Sequence, residues 1–488
     1  MRVVVIGSGF GGLAAALRAR ALGHGVTILE RLDQPGGRAR VFRRDGFVFD
    51  AGPTVITAPD LFDELWALFG ERRADHVAFL PVAPWYRIGF ADGNSFDYGG
   101  DLEEMRAKVA AFSPGDEAGF LRLSARTRDL YAVGYLGLGT VPFHRLSTML
   151  RAVPALLRLG AWRSLYGFVS RDIKNESLRR VFTLQMLLIG GHPFRSPALY
   201  ALIQQLEREG GLWFAAGGTV SLVEGLVALG RRHDIGLRTG CTVSGILVER
   251  GRTSGVRLES GEIVPADIVI ANADAPMVHG TLLPPPLRRS AARLDRQQAS
   301  MGLFVLYFGT TRRYESIAHH TILLGRQYRA LLDEIFGSDA VLPEDPSLYL
   351  HRPTATDPSL APPGQDAFYV LAPVPNLRAP IDWSVAGPAM RDRVVAMLSA
   401  RALPGLESCI VSESTLTPAD FAHDYLSRDG AGFSIAPILR QSAFFRFHNR
   451  CKAADGLYLV GAGTHPGAGV PGVLTSAKLV GTLLAEAA

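Results

Sequence analysis

The apolar and polar positions at the start of the chain change their period twice within 30 residues. Residues 3–6 are a continuous β-branched run, residues 13–22 are rich in alanine and leucine, and residues 26–30 are a second β-rich run. Short apolar runs favour buried strands, whereas the longer alanine-rich stretch favours a helix. The pattern therefore predicts a strand, a helix and a second strand, which together form a βαβ unit.

Two further β-rich regions lie far along the chain. Residues 237–272 alternate between apolar and polar side chains, with turn signals at Arg250-Gly251 and Ser260-Gly261. This alternation predicts antiparallel strands that end in the apolar strand 268–271. Residues 457–460 predict another strand, and we expect a final helix from about Val473.

Two long inserts separate these regions and contain no repeats or low-complexity tracts. We therefore predict the α/β fold class, with a discontinuous Rossmann-like nucleotide-binding domain and a second domain of the α+β type. The nucleotide-binding domain comprises residues 1–74, 211–295 and 441–488. The second domain, which would hold a substrate, comprises residues 75–210 and 296–440.

Composition narrows the class of partner. Lys and Arg number 51 against 46 Asp and Glu, so the net charge is only +5, and no run of basic residues resembles an arm that binds nucleic acid. We therefore exclude nucleic acid as a partner.

Three widely spaced cysteines fit neither a disulfide framework nor a zinc site. We expect a reducing cytoplasm and no bound metal.

The chain is apolar overall, with a mean hydropathy of +0.15 and 20% charged residues. Its uncharged stretches, residues 3–17 and 457–477, are nevertheless interrupted by glycines. We expect neither a signal peptide nor a membrane-spanning helix. The positive hydropathy therefore needs another explanation.

Residues 130–171 contain no Asp or Glu and five arginines, Arg145, Arg151, Arg158, Arg163 and Arg171. Within this segment, helical spacing aligns a set of apolar residues, Leu146, Met149, Leu150, Val153, Leu156 and Leu157. Such a pattern is typical of a basic amphipathic helix at an anionic membrane surface. The alternative is a helix whose apolar stripe is buried in the core. Pro154 predicts two short helices rather than one.

A glycine-rich turn follows the first predicted strand. Gly7, Gly9 and Gly12 have the G-x-G-x-x-G spacing in which the glycines allow a tight bend, the approach of a pyrophosphate and close helix–strand packing. Glu30 ends the second strand, where a carboxylate can bind ribose hydroxyls. The alternative is an ordinary turn with an exposed Glu30. Because strand, turn, helix and acid are all in register, we predict a dinucleotide site.

Gly36-Gly37-Arg38 comes shortly after the second strand. A glycine pair allows close approach of the backbone, and an arginine can bind a phosphate. This favours FAD over NAD, because an ordinary nicotinamide enzyme needs no second phosphate clamp there. By itself the segment is also compatible with a solvated turn.

Five collinear segments are specific enough to indicate a family. The chain resembles the bacterial and fungal phytoene desaturases, FAD-dependent carotenoid desaturases within the amine-oxidase-like flavoproteins. The segments are FDAGPTVIT (residues 49–57), GGLWFAAGGTVSLVEGL (210–226), LFVLYFGT (303–310), SLYLHRP (347–353) and YLVGAGTHPGAGVPGV (458–473). The resemblance covers essentially the whole chain.

The resemblance implies a flavoprotein that binds FAD and acts on a C40 polyene. Its motifs map onto residues expected to bind the cofactor: Gly7, Gly9, Gly11, Gly12, Glu30, Arg31, Gly37, Arg38, Gly52, Pro53, Thr54, Val243, Gly463, Thr464, Gly472 and Val473. A helix N-terminus at Gly472-Val473 would stabilise negative charge on the reduced flavin.

Desaturation removes a hydride and a proton from adjacent carbons, so a proton acceptor is expected near the flavin. His465 lies in the C-terminal glycine loop and either acts there or bonds to the turn backbone. Glu207 either faces the cavity or belongs to an exposed turn. His319, His320 and Arg352 are weaker candidates for the lining of the substrate domain.

We therefore expect an FAD-dependent phytoene desaturase whose products extend toward neurosporene or lycopene. The alternatives are another carotenoid flavoenzyme, namely a hydroxycarotenoid 3,4-desaturase, a C30 desaturase or an isomerase, and a polyisoprenoid-binding protein without redox function. Because the substrate is dissolved in the bilayer, we expect a cytoplasmic enzyme attached peripherally to the membrane through residues 130–171. Its expected electron acceptor is a quinone or oxygen.

Overall fold

A computed structural model describes residues 1–337 and 340–487. Its strands, in chain order, are β1 (Arg2–Ile6), β2 (Gly25–Leu29), β3 (Val41–Arg44), β4 (Phe47–Asp50), β5 (Phe79–Pro81), β6 (Tyr86–Gly89), β7 (Ser95–Tyr98), β8 (Trp213–Ala215), β9 (Gly236–Arg238), β10 (Val243–Glu249), β11 (Arg252–Leu258), β12 (Ile263–Pro265), β13 (Ile268–Ala271), β14 (Gly302–Thr310), β15 (His320–Leu323), β16 (Leu348–His351), β17 (Asp366–Val374), β18 (Ile410–Leu416) and β19 (Leu457–Leu459).

The α-helices are α1 (Phe10–Ala21), α2 (Pro59–Ala67), α3 (Leu102–Phe112), α4 (Glu117–Tyr131), α5 (Leu146–Arg158), α6 (Leu165–Val169), α7 (Glu176–Val181), α8 (Leu202–Gly210), α9 (Thr219–Arg232), α10 (Ala275–Met277), α11 (Ala291–Asp295), α12 (Tyr328–Phe336), α13 (Trp383–Arg401), α14 (Pro418–Tyr425) and α15 (Val470–Ala485). Short 3₁₀ and π-helical turns connect several of them, including a π-helix at Ala132–Gly137.

A parallel five-stranded sheet in the order β19-β13-β1-β2-β9 forms the centre of the nucleotide-binding half. The predicted βαβ unit is confirmed as β1, α1 and β2. Helices α1, α9 and α15 contribute apolar residues to the core on one side of this sheet. The helix at the turn begins at Phe10, three residues earlier than predicted, because Gly11 and Gly12 pack inside its first turn.

The predicted antiparallel region is confirmed only in its centre. Strands β10, β11 and β12 pair antiparallel, whereas β9 and β13 join the parallel sheet instead. A local alternation of apolar and polar residues identifies strands but not their partners, which are set by distant segments. The last helix begins at Val470, three residues before its predicted start, with Pro471 in its first turn.

A seven-stranded sheet lies at the centre of the other half, in the order β18-β14-β17-β16-β15-β6-β7. Its pairs are antiparallel except for β15 with β6. Strand β14 is buried along its whole length. All seven strands come from the two predicted inserts, while the exact domain boundaries stay a prediction. The predicted α/β fold class is confirmed.

Helix α5 runs unbroken through Pro154, so the predicted division into two short helices is wrong. Proline removes the hydrogen bond to the carbonyl four residues earlier. That carbonyl belongs to Leu150, which is 62% exposed. Water can therefore replace the N–H donor that Pro154 lacks. Among the described residues, none of the helices is both long enough and apolar enough to span a bilayer.

Candidate active site

A cavity of about 560 Å³ lies between the glycine-rich loops of the parallel sheet and an apolar wall formed by the predicted substrate domain. The apolar wall includes Leu303, Val305 and Leu371 from the seven-stranded sheet, and Leu202 and Leu206 from α8. One end of the cavity therefore has the lining of a dinucleotide site, while the remainder has that of a hydrocarbon site.

The glycines of the first turn are required by its geometry. Gly7 has a φ of +89°, which disfavours any side chain, and a Cβ at Gly12 would lie 2.0 Å from the carbonyl oxygen of Gly7. A Cβ at Gly9 would lie 2.9 Å from the side-chain amide nitrogen of Asn272. The turn can therefore hold only glycine where the helix packs on the strand.

Glu30 is buried at the cavity edge, so the alternative of an exposed Glu30 is wrong. Its Oε2 accepts hydrogen bonds from the backbone N–H of Ser8 at 2.7 Å and from the Ser8 hydroxyl at 2.6 Å. Its Oε1 accepts a bond from the N–H of Leu32 at 2.9 Å. These contacts hold the carboxylate at the end of β2, where it lines the cavity. Sequence reasoning missed Ser8, although it lies inside the glycine motif.

Arg38 is a partly buried cation in the cavity wall, and in the part of the chain that the structure describes it has no acidic partner within ion-pair distance. One of its terminal nitrogens donates to the hydroxyl of Ser427 at 3.1 Å, and its Nε has no hydrogen-bond partner. Burial lowers the pKa of Arg38, while Asp274 and Tyr425 act in the opposite direction. A desolvated guanidinium in a cavity is costly unless an anion meets it. The site therefore fits a bound phosphate group, as the predicted cofactor would supply.

The cavity brings most of the predicted cofactor residues together. Those that line it are Gly7, Gly9, Gly11, Glu30, Arg31, Gly37, Arg38, Gly52, Pro53, Thr54, Val243, Gly463, Gly472 and Val473. Two predicted residues, Gly12 and Thr464, do not line it. Gly12 packs against Gly7, and the hydroxyl of Thr464 donates to the carbonyl of Gly461 at 2.8 Å. Both therefore shape the loops rather than face the cavity.

Glu207 lies in the cavity wall and is 1% exposed, so the alternative of an exposed turn is wrong. Its Oε1 accepts a hydrogen bond from the Tyr86 hydroxyl at 3.1 Å, and its Oε2 accepts bonds from Tyr98 at 3.0 Å and from Gln185 at 3.2 Å. Burial raises the pKa of Glu207 to about 7, although these bonds oppose the shift. The carboxyl group can therefore exchange a proton near neutral pH.

His465 also lines the cavity, and its ring lies 4.8 Å from that of Phe143. Neither of its ring nitrogens has a hydrogen-bond partner among residues 1–337 and 340–487, so the alternative of a turn-bonding side chain is wrong. Burial, reinforced by the nearby Arg446 guanidinium, lowers the pKa of His465 to about 3. The neutral imidazole is therefore a poorer proton acceptor than Glu207.

His319, His320 and Arg352 do not line the cavity, contrary to expectation. The Nε of Arg352 donates to the carboxylate of Asp366 at 2.9 Å inside the core. His319 and His320 are buried beside His351. His319 precedes β15 and Arg352 follows β16, and contacts between these distant segments, which the sequence does not show, bury the side chains outside the cavity lining.

Three hydroxyl groups lie together in the cavity wall, and sequence reasoning missed two of them, those of Tyr349 and Tyr369. The Thr54 hydroxyl lies 3.0 Å from that of Tyr369 and 3.4 Å from that of Tyr349, and all three residues line the cavity. Thr54 had been assigned only to cofactor binding. The signal for Tyr349 was its place in the SLYLHRP segment, which resembled the family but had no assigned role.

Helix α5 forms part of the cavity wall and also an exposed apolar surface. Leu156 lines the cavity, whereas Leu146, Leu150 and Leu157 are 54%, 62% and 54% exposed. Of the residues in the helix, only Ala152 is fully buried. The alternative of a stripe buried in the core is therefore wrong. The exposed leucines define an outer face of α5 directly above the cavity wall.

Residues 10–482 match the family of flavin containing amine oxidoreductases. The chain is 49% identical over 491 residues to a lycopene-forming phytoene desaturase from Pseudescherichia vulneris, covering 99% of each chain. The chain belongs to the phytoene desaturases of the flavin containing amine oxidoreductase family. A neurosporene-forming phytoene desaturase from Rhodobacter capsulatus is 42% identical over 494 residues, covering 100% of this chain and 94% of that protein.

The fold agrees with solved structures of more distant proteins. An oxidoreductase from Methanosarcina mazei superposes with a TM-score of 0.65 at 19% identity, covering 98% of this chain and 99% of that one. At that identity, the likeness concerns the fold alone. As a phytoene desaturase family member, the protein is an oxidoreductase of carotenoid biosynthesis that acts on CH–CH bonds and uses a flavin. The expected family, enzyme class and function are thus confirmed.

Proposed function

We propose that the protein binds FAD and converts phytoene to lycopene by successive desaturations at a membrane surface. The observation that carries this proposal is one continuous cavity, which joins a glycine-rich dinucleotide cradle to an apolar wall that holds the buried acid Glu207. Lycopene is favoured over neurosporene because the chain is 49% identical to a lycopene-forming relative and 42% identical to a neurosporene-forming one.

The residues of the cradle suit FAD in particular. Gly7, Gly9 and Gly11 bring backbone to the cavity at the start of α1, where the helix dipole favours phosphate. Glu30 offers carboxylate lone pairs to ribose hydroxyls, and the unpaired Arg38 offers a guanidinium to an anion. When bound, FAD supplies the acceptor for a hydride. The N-terminus of α15 would stabilise negative charge at the same end of the cavity.

Glu207 is the residue that we assign to proton removal. Besides the hydride, each new double bond requires a neighbouring C–H bond to break with loss of a proton. A carboxylate with a pKa of about 7 is ionised in a large fraction of molecules at neutral pH. The proton therefore passes to an oxygen of Glu207, whose position is held by Tyr86, Tyr98 and Gln185.

His465 has a different role in this proposal. Its neutral ring packs against Phe143 in the cavity wall. Because its pKa is lowered to about 3, it binds a proton weakly and instead closes the polar end of the cavity against the hydrocarbon.

Helix α5 is the proposed membrane contact of a peripheral, cytoplasmic enzyme. Its outer face presents three exposed leucines, and the exposed Phe445 belongs to a short turn that packs beside the helix. Arginines at positions 145, 151 and 158 accompany this face, and each basic residue near an anionic bilayer contributes about 1 kcal/mol. Because Leu156 of the same helix lines the cavity, phytoene would enter directly from the bilayer.

The electron acceptor in this scheme is a quinone or oxygen. A membrane-dissolved quinone could reach the cavity by the same face as phytoene. The two acceptors can be separated by following the absorbance of the reduced flavin as it is reoxidised. One sample contains a soluble quinone without oxygen, and the other contains oxygenated buffer without quinone.

Reconstitution in liposomes tests the proposed function. The flavin-loaded protein, liposomes containing phytoene and a quinone should together yield a product with the absorption spectrum of lycopene. A product that stops at neurosporene would correct the extent of desaturation. An isomerised product without added double bonds would favour an isomerase, and turnover of a hydroxylated carotenoid or a C30 polyene but not of phytoene would favour the corresponding desaturase. Bound polyene without flavin bleaching would favour a non-redox binding protein.

A further inference from the structure

Three histidines lie together in the core of the seven-stranded sheet, outside the machinery described above. His319, His320 and His351 are 3%, 0% and 0% exposed, and one nitrogen from each ring lies within 4.8 Å of one from each of the others. Burial lowers the pKa of all three, so the rings are neutral. Burying three imidazoles in an apolar sheet is costly and calls for a function.

Strand register places this cluster in a row that leads to the cavity. On β15, β16 and β17, His320 lies directly opposite His351, and His351 lies directly opposite Tyr369. Directly opposite residues of antiparallel strands share one face of the sheet. Tyr349 lies two residues before His351 and therefore shares that face. Both tyrosines line the cavity.

Hydrogen bonds connect the cavity end of this row to the histidines. The hydroxyl of Tyr349 lies 2.8 Å from Nδ1 of His320 and 3.4 Å from the hydroxyl of Thr54. Tyr86, which donates to Glu207, packs its ring against that of His320 with centroids 5.7 Å apart. The proposed proton acceptor and the first histidine therefore flank the same tyrosine ring.

The far end of the row reaches a partly exposed residue. Nε2 of His351 lies 3.0 Å from Nε2 of His319, and Nδ1 of His319 lies 2.5 Å from the hydroxyl of Thr356. Thr356 is partly exposed. In the described part of the chain, Nε2 of His320 and Nδ1 of His351 lack partners. One water molecule can bridge ring nitrogens that lie up to 4.8 Å apart, the limit within which one nitrogen from each of the three rings falls.

We propose that Tyr349, His320, His351 and His319 form a proton relay that carries the proton removed from the substrate to solvent at Thr356. The proposal rests on the proposed function, because a desaturase must restore Glu207 to its carboxylate form before each further double bond. A cavity facing a bilayer offers no bulk water for this purpose. The row of exchangeable groups provides a route through the sheet.

Each transfer in the relay conserves protons. Glu207 releases its proton into the cavity, and the Tyr349 oxygen takes up a proton there and passes its own proton to Nδ1 of His320. In the proposed relay, a water molecule between the rings would carry the proton from Nε2 of His320 to the His351–His319 pair, and His319 passes a proton to Thr356. Imidazole has two exchangeable nitrogens, so no ring needs to hold a charge for long.

The test compares the first turnover with later ones in flavin-loaded enzyme with phytoene liposomes and a quinone. In Tyr349→Phe and His320→Ala, later turnovers should slow by at least about tenfold more than the first, because Glu207 can accept one proton but cannot release it. Imidazole should restore the later turnovers of His320→Ala. Proton release, followed with a pH indicator dye, should lag behind flavin reduction in both variants. His279→Ala removes a buried histidine that packs on Phe447 outside the row and serves as the matched control.

Equal slowing of first and later turnovers, or later turnovers within twofold of the parent enzyme, would overturn the relay. If His320→Ala does not fold, Tyr349→Phe, which keeps the ring, decides the question. Mass spectrometry measures any bound metal. A stoichiometric metal in the parent protein that is lost in His320→Ala would overturn the relay in favour of a metal site. Absence of any polyene product in the parent enzyme would instead refute the proposed function.

Discussion

The hydroxyl of Tyr86 on β6 donates a hydrogen bond to the carboxylate of Glu207 on α8 across 3.1 Å, inside the cavity wall. The two residues are 121 positions apart in the chain. With Tyr98 and Gln185, Tyr86 satisfies both oxygens of a carboxyl group that has no cationic partner within ion-pair distance in the described structure. Burial therefore dominates and raises the pKa of Glu207 to about 7. Proton removal in the proposed reaction depends on this arrangement.

Replacing Glu207 by glutamine should slow single-turnover flavin reduction by about a hundredfold, because general-base contributions are typically of this size or larger. The amide keeps the shape and can still accept one hydroxyl bond, so flavin content should not change. Stopped-flow absorbance measures the rate. Glu224→Gln, at an exposed position of α9, is the control. A Glu207→Gln enzyme as fast as the parent would remove Glu207 from the mechanism.

The rate of flavin reduction should depend on pH with a midpoint near 7. The carboxylate is the active form, so the rate should rise with pH and level off above the pKa of Glu207, and fall as the group is protonated below it. Single-turnover rates between pH 5.5 and about 8.5 measure this profile. The Glu207→Gln variant should lack the inflection, and a midpoint near 4 in the parent enzyme would contradict the buried environment described for this acid.

Replacing Arg38 by glutamine should weaken FAD binding by about tenfold to a hundredfold. The Nε of Arg38 is buried in the cavity wall and lacks a hydrogen-bond partner among the described residues, and hydrogen bonds to charged groups contribute about 1.5–3 kcal/mol. Equilibrium titration of the apoprotein with FAD measures the affinity. Because removal of a partly buried cation without an acidic partner also relieves desolvation, the apoprotein should become no less stable toward heat. Unchanged FAD affinity would mean that Arg38 does not contact the cofactor.

Paired substitution of Leu150 and Leu157 by serine should reduce binding to anionic liposomes by at least about tenfold. Each leucine that enters the bilayer contributes about 1.5–3 kcal/mol, and both are more than half exposed. Folding stability should change little for the same reason. Co-sedimentation with vesicles containing anionic lipid measures the binding.

Reversing the charges of Arg151 and Arg158 tests the electrostatic contribution to membrane binding. Binding should weaken, and the difference from the parent should shrink at high salt because the attraction is screened. Val385→Ser, an exposed apolar position on α13, is the control for loss of a single apolar side chain elsewhere. Equal vesicle binding by all variants would place the membrane contact away from α5.

The sequence by itself determined the parts of the molecule that depend on local spacing. Gly7, Gly12 and Glu30 could be assigned because a strand, a turn and a helix in direct succession leave few conformations open. The family followed from collinear segments along the whole chain. The amphipathic character of residues 146–158 was equally visible, since helical periodicity is a local property.

Only the tertiary structure decided which side chains meet. The burial of Glu207 depends on tyrosines from two distant strands, and the row from Tyr369 to His320 depends on the register of β15, β16 and β17. The same is true of α5, where packing of its neighbours determines which leucines remain exposed. Register and packing arise from contacts between segments far apart in the chain, and a pKa follows from the desolvation that those contacts impose.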